Sequence, residues 1–215
     1  MTIAALYVYA KGVYSTLHDV EIWDESRDAR TYAGPWPVVA HPPCARWGKY
    51  WHGGPNSEKF PRERKTKGDD AGCFSAALHA VRVYGGVLEH PANSAAWEWH
   101  GLLAPPRRGW GLADHHGGFT CEVEQGHYGH RARKATWLYA CRVRVPELIW
   151  GPCAANAKLE EGFHSAAERA RAKADANVER LSKVERLSKT ERAATPRPFA
   201  ELLVSIARSA RREVA

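Results

Sequence analysis

The chain has 215 residues, 44% hydrophobic and 26% charged, with formal net charge +7 and a pI near 9.3. This composition predicts a globular core with room for one appendage and, with no apolar run of 18 residues, excludes a membrane-spanning helix. The basic balance favours polyanionic partners such as nucleic acid, because each neutralised phosphate releases counterions.

Residues 1–9 alternate apolar positions before Lys11-Gly12 and lack a leading basic region, so they read as a first strand and not as a signal peptide. Trp36 to His41 is a short apolar run ending at Pro42-Pro43, the pattern of a buried strand followed by a loop. A polar, basic loop is predicted from Trp47 to about Lys67. Asp69 and Asp70 then occupy a helix N-cap position, and Phe74, Ala77, Leu78 and Val81 follow at helical spacing. Gly85-Gly86 stops that helix, Val87-Leu88-Glu89 is the next strand, and His90-Pro91 ends it. Strand, loop, helix and strand in this order predict two parallel neighbours of one sheet. Cys44 and Glu89 then both fall just beyond carboxyl ends of strands, the rim where open α/β sheets bind ligands.

Asn93 or Ser94 is placed to cap a short helix carrying Trp97 and Trp99. Residues 104–118 read as loop, Phe119 to Glu124 as a strand and Ala135 to Val145 as another. Beyond Pro152 the composition shifts to Ala, Glu, Arg and Lys, and Val178–Lys183 repeats as Val184–Lys189. A six-residue repeat drifts around a helix, so 153–194 reads as a charged helical arm or linker. Thr195-Pro196 opens a last helix whose Phe199, Leu202, Leu203 and Ile206 form one apolar face expected to pack on the sheet. The organisation predicted is 1–152 as an α/β domain, 153–194 as the arm and 195–215 as the docked helix.

The five cysteines, at 44, 73, 121, 141 and 153, form no Cys-x-x-Cys pair. This indicates neither a disulfide framework nor a zinc ribbon, and points to a reducing cytoplasm. His115, His116, Cys121, His127 and His130 cluster in sequence but match no standard zinc spacing, so no metal is assigned.

Three elements carry chemistry. Two prolines fix the backbone ahead of Cys44, whose thiolate would be a nucleophile, with Arg46 placed to lower its pKa. Glu89 at the neighbouring strand end can protonate or hydrogen-bond a ring nitrogen, and burial beside Leu88 is expected to raise its pKa. Arg131 and Arg133, two apart before a strand, are placed to clamp a phosphate or orient a base.

Pro42-Pro43-Cys44 resembles the Pro-Cys catalytic loop of the cytosine-C5 DNA methyltransferases. Glu89 of Glu89-His90-Pro91 stands where that family carries its Glu-Asn-Val glutamate, and Arg131-Ala132-Arg133 resembles the end of its Gln-x-Arg-x-Arg motif. The order agrees across about residues 36–140, and the pattern is also similar to small phage-encoded reading frames, which implies the cytoplasm of a bacterial or phage-infected cell.

The resemblance implies a truncated Rossmann-like methyltransferase-type sheet with a C-terminal charged helical extension. It implies a covalent Cys44–C6 adduct on cytosine, with Glu89, Arg131 and Arg133 completing the catalytic set. The implied cofactor is S-adenosylmethionine, near Tyr9, Gly12 and Pro42 with Glu21 or Asp24 at its ribose. The implied partner is DNA or a nucleotide containing cytosine, with Arg46, Trp47, Tyr50, Trp51 and His90 as its contacts. The family's Phe-x-Gly-x-Gly loop is replaced by Tyr9 to Tyr14 with one glycine, the Gln of the arginine motif is missing, and no large target-recognition domain follows. Two alternatives therefore stand: a related enzyme with a different donor or a free-nucleotide substrate, and a non-catalytic DNA-binding descendant.

Overall fold

The computed structural model describes residues 1–49, 51–52, 65–155, 157–159 and 185–210. Its centre is a seven-stranded mixed sheet in a Rossmann-like α/β arrangement, in the order β2-β1-β3-β4-β7-β6-β5. The strands are β1 (Ile3–Leu6), β2 (Val20–Trp23), β3 (Val38–Ala40), β4 (Gly86–Pro91), β5 (Gly111–Leu112), β6 (Phe119–Glu124) and β7 (Ala135–Cys141). A separate two-stranded pair joins β8 (Ala157–Lys158) to β9 (Glu185–Arg186). The helices are α1 (Cys73–Tyr84), α2 (Ala95–Trp99), α3 (Lys189–Ala193) and α4 (Arg197–Arg208).

The β1–β2, β1–β3 and β3–β4 pairs are parallel. β1 and β3 are buried along their whole length, as strands covered on both faces require. Side chains alternate cleanly between the faces. Ala4, Leu6, Val38, Ala40 and Leu88 meet Phe74, Ala77, Leu78 and Val81 of α1. Ile3, Ala5, Val39, Val87 and Leu138 meet Phe199, Leu203 and Ile206 of α4. Each fully buried Leu, Ile or Phe contributes about 1.5–3 kcal/mol, so α4 is held by its apolar face. Both the α1 crossover and the docked C-terminal helix therefore stand as the sequence predicts.

The N-terminus of α1 is capped differently from expectation. Gly72 is the N-cap, in a left-handed conformation, and Asp70 reaches forward to accept from the Gly72 and Phe74 amides at 3.0 and 2.9 Å. Ser94 caps α2 through Ala96 N, as expected. Gly85 ends α1. Gly86 is required by close approach: a Cβ there would stand 1.9 Å from the Val38 carbonyl oxygen, across the β3–β4 register.

β7 runs against both β4 and β6, which are thus parallel to each other. The last strand is shorter than predicted, ending at Cys141, and Val143 and Val145 pack beyond it. β2 and β5 were not expected. The reversal of β7 has a chemical result: its N-terminus lies at the rim that carries the carboxyl ends of β3, β4 and β6. Most of the proposed charged arm, residues 160–184 with the Val178 repeat, lies outside the described residues. Among the described residues, no helix is long and apolar enough to cross a membrane.

Candidate functional site

Four segments converge at this rim: the turn after β3 with His41 to Cys44, β4 with Glu89, the end of β6 with Gln125, and the turn before β7 with Lys134; Glu89 lies within β4, which runs on through His90 and Pro91 against β7 instead of ending at Glu89 as expected. His41 Nδ1 lies 2.9 Å from Glu89 Oε2, and His41 Nε2 lies 2.7 Å from the Tyr14 hydroxyl. On the other side, Gln125 Nε2 donates to Glu89 Oε1 at 3.1 Å and to Thr136 Oγ1 at 2.9 Å. Thr136 Oγ1 donates in turn to the Lys134 carbonyl at 3.1 Å. Both oxygens of the carboxylate are thus held by donors from strands far apart in sequence. Gln125 is the chain's only glutamine and is fully buried, with its Oε1 unpaired.

Burial pushes the Glu89 carboxyl upward. The His41 hydrogen bond and charge, together with Lys134 and His90, outweigh burial and hold the group below its ordinary range. The expectation of a raised pKa is corrected: burial was the foreseeable influence, and His41 was not. Glu89 is an ionised acceptor at neutral pH and not a ready acid.

Cys44 is exposed at the mouth of the Pro-Pro turn, with Pro42 buried behind it. Partial enclosure raises its thiol, the Glu89 charge raises it further, and Lys134 pulls it down. Cys44 follows β3 and Glu89 lies on the neighbouring β4, past the last β3–β4 pair, Ala40 with Leu88. Arg46 takes no part in this; its guanidinium donates to the Trp51 carbonyl at 3.5 Å. Lys134, in the turn before β7, donates from its ammonium to the Ala194 carbonyl at 2.8 Å. Its backbone is left-handed, with φ 43°, a conformation that costs a non-glycine residue roughly 1–3 kcal/mol.

The remaining predicted positions divide. Arg133 makes a forked pair with Glu124, and that contact, the Cys153 amide at 2.7 Å and proximity to the Cys153 thiol bring Glu124 down to about 2 against the effect of burial. Arg131 pairs with Glu191 at 3.0 Å. The two arginines therefore grip different carboxylates and do not form one clamp. Trp47 is a core residue, 2% exposed, packed on Phe74, Trp99 and His100 with its indole N–H on Asp70 at 2.8 Å. It is not available to stack on a base. His90 is equally buried, between Phe74 and Trp97, and desolvation lowers its pKa to about 4, so direct substrate contact is excluded in this conformation. Trp51 packs edge-on against His52. Tyr50 lies outside the described residues.

The turn after β1 was the expected cofactor cradle. Its Gly12 amide is spent on the Tyr9 carbonyl at 2.9 Å, and Tyr9 is 80% exposed. Glu21 is taken by Arg27 at 2.8 Å and by the Trp23 indole at 3.2 Å. Asp24 is folded into its own turn, accepting from the Ser26 hydroxyl and from the Ser26 and Arg27 amides. These residues do not fit S-adenosylmethionine as the resemblance implied, because the donors and acceptors assigned to it are used within the chain. The histidine-cysteine cluster does not assemble either. Among the described residues, no three His, Cys, Asp or Glu side chains converge as a metal site.

Sequence reasoning missed His41, Gln125 and Lys134. His41 adjoins the Pro-Pro signal and was legible as a rim residue. The other two arrive only through the reversed β7.

No protein-family model, curated protein or solved structure matches the chain.

Proposed function

We propose that this chain modifies cytosine at C5, in DNA, through a covalent Cys44–C6 adduct, as the resemblance to the cytosine-C5 methyltransferases suggests. The observation that carries this reading is the pairing of an exposed Cys44 with a Glu89 carboxylate fixed at both oxygens on the adjacent strand end. The methyltransferase type of the fold belongs to the same proposal.

The chemistry follows from these groups. Sulfur adds to C6, forming the S–C bond while the C5–C6 π pair moves onto the ring. N3 takes up a proton, and the ionised Glu89 accepts the hydrogen bond from the resulting N3–H. C5 becomes nucleophilic and takes an electrophile. Loss of the C5 proton and departure of sulfur restore the aromatic ring. A duplex base must first leave the stack, costing a few kcal/mol. Methyl transfer is the outcome that the resemblance implies. The occupied turn after β1 favours a second reading in which the one-carbon donor is another compound.

Hydrogen exchange separates addition from donor chemistry. A deoxycytidine oligonucleotide incubated in D2O with the protein and no donor should exchange hydrogen-5, because the adduct exposes C5 to solvent protons. An oligonucleotide carrying 5-fluorocytosine, which cannot lose fluorine as a cation, should then trap the protein covalently once a working donor is added. DNA binding with no exchange and no trapping would leave the non-catalytic reading. Calorimetric titration with S-adenosylmethionine tests the donor independently.

A further inference from the structure

We propose that Tyr14 and His41 are positioning residues for Glu89: the phenol fixes the imidazole proton on Nδ1, and the imidazole holds the carboxylate as an acceptor for a ring edge that offers N–H donors. The catalytic half of this inference rests on the reading of Glu89 as the group that meets cytosine. Hydrogen-bond directions run inward from two buried ends and meet at this carboxylate.

At one end, Tyr14 lies in the 3-10 turn Val13–Thr16, 2% exposed, in one buried cluster with Ile3, Val39 and Phe199. Among the described residues its hydroxyl meets His41 Nε2, at 2.7 Å. A buried O–H that donates to nothing is costly, so the phenol donates and Nε2 is bare. Burial, with the Glu89 charge, pushes the phenol well above its ordinary range, so it keeps its hydrogen. The imidazole proton is then on Nδ1, and Nδ1–H donates to Glu89 Oε2 at 2.9 Å. The other tautomer would set two donors against each other at Tyr14 and a bare nitrogen against the carboxylate.

At the other end, Thr136 is fully buried and its hydroxyl donates to the Lys134 carbonyl at 3.1 Å. With that hydrogen used, Thr136 Oγ1 accepts from Gln125, so the amide atom between Thr136 and Glu89 is Nε2. The amide keeps this orientation although its Oε1 is left buried without a partner. Both oxygens of Glu89 therefore face donors, the arrangement of an ionised carboxylate. Each oxygen keeps a second lone-pair direction, and on the cytosine reading these accept from the N–H groups of the ring edge. Among the described residues, the titratable groups acting on Glu89 are His41 from the turn after β3, His90 beside it on β4 and Lys134 from the turn before β7. The Glu89 charge is felt in turn at Cys44 and Tyr14.

The test is nuclear magnetic resonance of protein labelled with 15N-histidine and 13C-carboxyl glutamate. The spectra of His41→Asn and Glu89→Gln identify the two signals by their loss. At pH 8, wild-type His41 should carry its proton on Nδ1 with Nε2 bare. Tyr14→Phe keeps the ring and removes the hydroxyl; it should shift His41 toward the Nε2–H tautomer and raise the Glu89 titration by about one unit, a tenfold change in its dissociation constant. The acid limb of hydrogen-5 exchange should move alkaline by the same amount. His41→Ala should raise the titration as well, and His41→Asn, whose amide nitrogen overlays Nδ1, should recover most of the wild-type value. Thermal unfolding checks each variant, and the wild-type spectrum decides without them. A wild-type His41 protonated on Nε2 would overturn the proposal. So would a folded Tyr14→Phe protein with tautomer and titration unchanged, or a His41→Asn protein no better than His41→Ala. The spectra need no DNA, so a wild type with Nδ1–H and a low Glu89 titration but no hydrogen-5 exchange would sink the C5 reading and leave this one. Exchange in a protein whose His41 is protonated on Nε2 would do the reverse.

Discussion

His41 Nδ1 and Glu89 Oε2 sit 2.9 Å apart, and the opposite face of that carboxylate is occupied by the Gln125 amide. The folded value of the Glu89 pKa is below its ordinary 4.5. The ionised group therefore stabilises the fold above pH 4.5, and the contribution is lost as pH falls through the lower folded value. Glu89→Gln should cost about 1–3 kcal/mol at pH 7, because its new amide cannot satisfy donors on both sides. Urea unfolding across pH 3–7 should show the gap between wild type and variant closing at the acid end. A gap independent of pH would mean that the carboxylate is not held ionised.

Cys44→Ala should abolish hydrogen-5 exchange and covalent trapping while changing stability by no more than about 0.5 kcal/mol, since the side chain is exposed. Circular dichroism melts alongside the exchange assay read both. A large drop in melting temperature would show that the thiol is a packing group.

Trp47→Ala tests whether this indole belongs to the core or to the substrate. A buried Trp truncated to Ala costs about 3–5 kcal/mol, and here the Asp70 carboxylate loses one of its donors as well, keeping the Gly72 and Phe74 amides. Trp47→Phe should recover most of the packing but not that hydrogen bond. DNA affinity of the folded Trp47→Phe protein should match wild type, measured by fluorescence anisotropy.

Gly86→Ala should prevent folding. The added methyl would lie 1.9 Å from the Val38 carbonyl oxygen, and φ is 140°. The atom in the way is backbone of the paired strand, so no side-chain rotation relieves the clash. Loss of the β3–β4 pair would separate Cys44 from Glu89. A soluble, cooperatively unfolding Gly86→Ala protein would contradict the register.

The crossover from β3 through α1 to β4 was readable because apolar spacing, Asp70 and Gly85-Gly86 all point the same way. So was α4, from Pro196 and the spacing of Phe199, Leu203 and Ile206. β2 was not: Val20–Trp23 is half-exposed and mixes Glu21 with apolar residues, so no clean period marks it. Trp47 misled for a different reason. Loop context suggested exposure, whereas its burial is set by Phe74, Trp99 and His100 from two later helices. The electrostatic state of Glu89 was illegible because His41 and Lys134, which lower its pKa, and Gln125, which holds its second oxygen, reach it through pairings 36 to 48 residues apart or through the reversed strand. Local sequence records burial better than it records who arrives from elsewhere.

Helix α4 lies against strands made much earlier in the chain. Arg208 donates to the His18 carbonyl at 2.7 Å, and Phe199 and Leu203 cover Ile3, Ala5 and Val39. During synthesis that side of the nascent sheet stays uncovered until this helix has been made, and a chain cut before Arg197 would leave Ile3, Ala5 and Val39 bare, a ready client for chaperones and proteases.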